Sequence, residues 1–105
     1  MVFTKRLRDG IKRGRIRCTI RIWQSLKVKV GGRYPMDDGH VVVEEITPIA
    51  KKDITDDLAQ ESGFESRKDL LGVAQHGAGR KVFLIRFHYV PAGAWDGPRW
   101  IRHSH

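Results

Sequence analysis

Phe3, Leu7 and Ile11 recur four residues apart, Thr4 stands where a helix cap belongs, and Gly14 is placed to end the segment in a left-handed conformation. The spacing predicts a short amphipathic helix whose other face carries Lys5, Arg6, Arg8, Lys12 and Arg13. From Ile16 the period changes to two. Ile16, Cys18, Ile20 and Ile22 alternate with Arg17, Thr19, Arg21 and Trp23, which predicts a half-buried strand with two guanidiniums, a hydroxyl and an indole along its outer face.

Gln24 to Lys27 read as a loop, Gly31-Gly32 as a backbone turn, and Asp38-Gly39 as a hairpin signal between a short strand near Arg33-Tyr34 and a longer one over residues 40–46. Thr55 can cap a short helix through Gln60 or Glu61, stopped by Gly63, with Asp56 and Asp57 in the first turn, where the helix dipole favours negative charge. Ser66 to Asp69 form a capping-box pattern for a second helix running to about Gln75. Lys81 to Val90 alternate most strongly of all and predict the central strand. Residues 91–105 lose the period and form a tail, either free or docked through Trp95 and Trp100.

Helix, strands, two short helices and a long strand make an α+β pattern. The early connections are too short for parallel crossovers, so a small, mostly antiparallel barrel or curved sheet with flanking short helices is expected. At 105 residues the chain suffices for one domain, assigned to residues 1–90 with 91–105 as the tail.

Charge adds a direction. The formal net charge is +8, and residues 1–33 hold eleven Lys and Arg against Asp9 alone, whereas residues 34–73 hold ten acidic side chains against four basic ones. Excess positive charge favours polyanions through counterion release. No window approaches the run of about 18 apolar residues that spans a bilayer, and no export signal is visible, so the expectation is a cytoplasmic protein without membrane attachment. A single cysteine, Cys18, suits a reducing compartment and alternates onto the core face. Neither it nor the His103/His105 pair makes a metal site, no phosphate-binding loop is present, and no cofactor is implied.

The octapeptide Gly14-Arg15-Ile16-Arg17-Cys18-Thr19-Ile20-Arg21 resembles the G-x-K-x-x-T-x-R signature of ASCH domains, matching its Gly, Thr and Arg. The resemblance continues through Val28-Lys29-Val30-Gly31-Gly32-Arg33, Asp53-Ile54-Thr55, Ala59 to Phe64 and the long strand, spanning about residues 3–90. It implies a PUA-like β-barrel whose cleft receives RNA or a nucleobase. In the amidohydrolase branch of that family the motif Lys is a base, the Thr a nucleophile and a Glu the proton donor, and the last two fall on Thr19 and Glu61. Ile16 occupies the Lys position, and Gly32 stands where the family's turn has Asp. Neither Arg15 nor Arg17 replaces that lysine as a base, because a guanidinium does not deprotonate near neutral pH.

The leading expectation is therefore an RNA-binding module, with RNA favoured over DNA and a monomer as the default. Arg15, Arg17, Arg21, Lys27 and Lys29 would meet phosphate, and Thr19 with Trp23 would meet a base. Arg21 is open to two readings, a phosphate clamp or a buried partner for Glu44 or Glu45. Two alternatives stand beside it. One is a hydrolase of N4-acetylcytidine or RNA using Thr19, Glu61 and a lysine such as Lys27 or Lys29. The other is a protein-interaction module whose Trp-bearing tail completes a dimer.

Overall fold

A computed structural model describes residues 1–74 and 79–93. Helix α1 (Lys5–Lys12) precedes β1 (Cys18–Trp23), β2 (Arg33–Met36) and β3 (Gly39–Ile49). A 3-10 turn over Lys51–Asp53 leads to α2 (Asp56–Glu61), α3 (Arg67–Ala74) and β4 (Lys81–Val90). The four strands form one antiparallel sheet in the order β1-β4-β3-β2, curled into a half-barrel with β1 and β2 at its edges. The long strand is interior, as its alternation predicts. Gln75, the predicted end of the second helix, and the tail tryptophans Trp95 and Trp100 lie outside the described residues.

Local chemistry accounts for most boundaries. Arg13 caps α1 and Gly14 follows at φ 78°, a left-handed stop that glycine takes without a Cβ penalty. The Thr55 hydroxyl accepts the Leu58 N–H at 3.1 Å, and the Ser66 hydroxyl accepts the Asp69 N–H at 3.2 Å. Thr4 holds the N-cap position of α1, but its hydroxyl makes no capping bond, and its carbonyl accepts the Leu7 N–H instead.

The β2–β3 hairpin differs by one step from the expectation. Met36 pairs with Gly39, so the two-residue turn is Asp37-Asp38, with Asp37 at φ 54°. Gly39 is already strand, and its lack of a side chain serves packing: a Cβ there would lie 2.3 Å from the Val90 carbonyl oxygen. Ile16 also departs from its expected place. It precedes β1 and inserts between layers, and a Cβ on Gly10 or Gly63 would come within 2.7 Å of its Cδ1.

Both faces of the β1–β4 ladder are covered. Ile20, Ile22 and Val82 pack with Ile54, Ala59, Phe64 and Leu70 from the helical region, while Phe83 and Ile85 pack with Val28 and Val43. Phe3, Leu7 and Ile11 of the N-terminal segment join Phe87, Val41 and Met36 in the larger cluster. Covering both faces corrects the half-buried reading of β1, since Thr19 is only 5% exposed. A strand that is apolar on one side only can still be enclosed when a chain segment crosses its polar side.

The acidic middle of the chain is partly spent on α1. Asp37 pairs with Arg8 at 3.3 Å and Lys12 at 2.8 Å, Asp69 pairs with Arg6 at 2.6 Å, and Asp9 pairs with Arg13 at 3.2 Å. The Lys12 hydrogen bond, followed by its charge and that of Arg8, holds the Asp37 carboxyl below its ordinary range. The Glu65 N–H, then Arg6, does the same for Asp69. A carboxyl whose folded pKa is depressed contributes stability fully above its unfolded pKa, about 3.9, and loses that contribution as pH falls through the folded value. An Asp37→Asn/Asp69→Asn variant is therefore expected to melt below the wild type at neutral pH, with the gap closing on acidification beneath the aspartate range. Thermal melts across pH check this, and a gap independent of pH would contradict it.

Candidate functional site

A cleft of about 790 Å³ runs along the edge of β1. Consecutive residues Thr19 to Ser25 line it together with Lys27, which places it at the unpaired flank of the edge strand, where both side-chain parities are reachable. The N-terminal segment Val2–Thr4 and α1, through Leu7 and Arg8, form one wall. Phe64, the end of α3 at Val73 and Ala74, and Gly79 also line it. Gly79 packs so closely on β1 that a Cβ would lie 2.9 Å from the Ile22 carbonyl oxygen.

Among the described residues no aspartate or glutamate lines this cleft, whereas Arg8, Arg21 and Lys27 do. Three aromatic rings, Phe3, Trp23 and Phe64, share the lining. Trp23 is half-buried, tilted against Phe83 with ring centroids 6.1 Å apart, so its packing role and its presence in the cleft coexist.

Arg21 is the most informative member. Its Nε donates to the Thr19 Oγ1 at 3.1 Å, its Nη2 donates to the Val2 carbonyl at 2.7 Å, and its guanidinium lies 4.9 Å from the Phe3 ring centroid. Burial pulls its pKa down to about 10. The carboxylate partners considered for it are engaged elsewhere, Glu44 with His88 and Glu45 with Arg86 at 3.7 Å. Among the described residues no carboxylate pairs with Arg21, so its half-buried charge meets neutral acceptors and an aromatic face, with the Met1 ammonium near enough to repel it.

Thr19 accepts from a cationic donor, which leaves its own hydroxyl proton available to a ligand. Arg21 is no base for a Thr19 nucleophile. Of the lysines considered for that role, Lys27 lines the cleft and Lys29 does not. Glu61 is exposed at the end of α2 and is not among the lining residues. It sits nearer Cys18, on the opposite side of β1, where the thiol contacts the Ser62 hydroxyl at 3.4 Å. Burial, ahead of any other influence, pushes the Cys18 thiol up, consistent with its packing role.

The remaining predicted contacts lie outside the cleft. Arg15, Arg17 and Lys29 are exposed beyond its lining, and their side chains, with that of Lys27, make no ion pair within the described residues. Arg17 is in phase with Thr19 one strand repeat away, about 7 Å along the chain, and so extends the Thr19-Arg21-Trp23 row. Phe3, Arg8 and Phe64 line the cleft without any signal of it in the local sequence. The periodicity of Phe3 reports a buried helix face, Arg8 reads as part of the solvated face and Phe64 follows a helix stop, so only tertiary packing brings the three to β1.

No helix among the described residues is long and apolar enough to cross a membrane, and none of their His, Cys, Asp and Glu side chains cluster as a metal site. Comparison with protein-family models, with curated proteins and with solved structures finds no match to this chain.

Proposed function

We propose that the chain is an RNA-binding module of the ASCH type, with a PUA-like half-barrel and a cleft that takes an unpaired nucleotide. The observation that carries the reading is the composition of the cleft: cations and aromatic rings without a carboxylate, centred on the Thr19 and Arg21 of the octapeptide. Such a lining repels anions nowhere and offers a stacking surface at Trp23, the pairing of features that single-strand binders use. The exposed Arg15, Arg17, Lys27 and Lys29 give a phosphate-binding surface near it.

Hydrolysis is the weaker reading. Thr19 has a cation for its hydrogen-bond partner, Ile16 stands at the motif lysine, and Glu61 lies away from the cleft lining.

Fluorescence titration of a short single-stranded RNA across salt concentrations tests the proposal. With about four phosphates neutralised, log K is expected to fall against log salt with a slope near −3. Absence of binding at low salt would sink the reading.

A further inference from the structure

We propose that Arg21 and Thr19 form an anchor for the phosphate of a single nucleoside monophosphate, either free or at the end of a strand. This rests on the nucleic-acid reading of the cleft and names the ligand class that fits it. A guanidinium carries five N–H groups, and two of those on Arg21 are used by Thr19 and Val2. Three remain, on a planar fork suited to two oxygens of one phosphate. The Thr19 hydroxyl adds a further donor beside it.

The electrostatics call for an anion. Half-buried charge without a counter-ion is costly, the intramolecular hydrogen-bond and ring partners supply only a carbonyl, a hydroxyl and a ring, and the nearby Met1 ammonium adds repulsion. Exposed lysines offer no comparable site, because water already solvates them. A phosphate seated on Arg21 would replace solvent along the cleft and give the guanidinium its only negative neighbour among the described residues.

Size and spacing favour one nucleotide. The cleft, about 790 Å³, lies within the range of small-molecule sites, about 300 to 1,000 Å³. Arg21 and Trp23 project to the same face of β1 two residues apart, about 7 Å along the strand. That is the scale separating phosphate from base within a nucleotide, so one ligand can seat its phosphate on Arg21 while its base meets Trp23.

Calorimetric titration of the whole chain with uridine and adenosine, and with their 5′-monophosphates, tests the anchor. The monophosphates are expected to bind at least tenfold more tightly than the nucleosides. Arg21→Gln and Arg21→Lys should both abolish that difference, the second because it keeps the charge and loses the fork. Lys52→Gln, an exposed cation on the 3-10 turn outside the cleft lining, should leave it intact. In the wild type, where no variant can disturb folding, the Arg21 Nε–H resonance should shift with the monophosphate and not with the nucleoside.

Equal affinity for nucleoside and monophosphate, or a difference that survives Arg21→Gln, would overturn the anchor. A 5′-phosphorylated pentanucleotide binding better than its 5′-hydroxyl form would place the phosphate at a strand end. Equal binding of the two, with the mononucleotide difference intact, would assign the anchor to free nucleotides. Oligonucleotides that bind with no mononucleotide discrimination would remove the anchor and leave the RNA reading. Discrimination without any oligonucleotide binding would do the reverse.

Discussion

Gly63→Ala is expected to destabilise the fold by about 2 to 4 kcal/mol, lowering the urea midpoint with little change in slope. Two costs coincide at this position. Gly63 sits at φ 93°, where a side chain adds about 1 to 2 kcal/mol of backbone strain. A Cβ would also stand 2.7 Å from both Leu7 Cδ2 and Ile16 Cδ1, so the ends of these two packed side chains would have to shift. Overpacking of that kind costs about 1 to 3 kcal/mol. Gly72→Ala supplies the contrast. Gly72 lies inside α3 with nothing within 4 Å of an added Cβ, so the same change there should stabilise by about 0.5 to 1 kcal/mol. Removing Cδ1 through Ile16→Val should recover part of the Gly63→Ala loss, which locates the clash. A Gly63→Ala loss below about 1 kcal/mol would show that the three segments are not packed this closely.

Gly63 also marks the limit of what the chain shows on inspection. As a helix stop it is legible, like Gly14, because left-handed termination is a local requirement. That it forms the floor on which Leu7 and Ile16 meet is not, since those residues come from elsewhere in the chain. The same division holds throughout the site. The alternation of Thr19, Arg21 and Trp23 is visible in the residues, and the structure keeps these three in one cleft. Their depth is not visible there, because nothing local to β1 reports that Val2 and Phe3 cross over Arg21. Glu61 illustrates the opposite failure: motif order carried it toward Thr19, whereas α2 lies on the Cys18 side of the strand. Period and turn chemistry fix elements. The side of a sheet on which a later element docks depends on the path of the intervening chain.

Charge shows the same distinction in a form that experiment can separate. Arg6, Lys12 and Arg13 are as basic as Arg15, Arg17, Lys27 and Lys29, but the first three are paired with Asp69, Asp37 and Asp9. To meet an RNA phosphate, a paired cation must leave its carboxylate, which then repels the same phosphate. The unpaired set has no such penalty. Converting Arg15, Arg17, Lys27 and Lys29 to Gln is therefore expected to flatten the slope of log K against log salt by about 2, leaving the share of the phosphate on Arg21, and to weaken single-strand RNA binding on the order of 100-fold at 0.1 M salt. Stability should stay within about 0.5 kcal/mol, because these side chains are exposed and make no ion pair within the described residues. Converting Arg6, Lys12 and Arg13 should instead lower the melting temperature while leaving most of the salt slope. Titrations and melts on the two variants compare them directly. If the second variant loses the salt dependence and the first retains it, the phosphate-binding surface lies on α1 rather than on β1 and the loop that follows it.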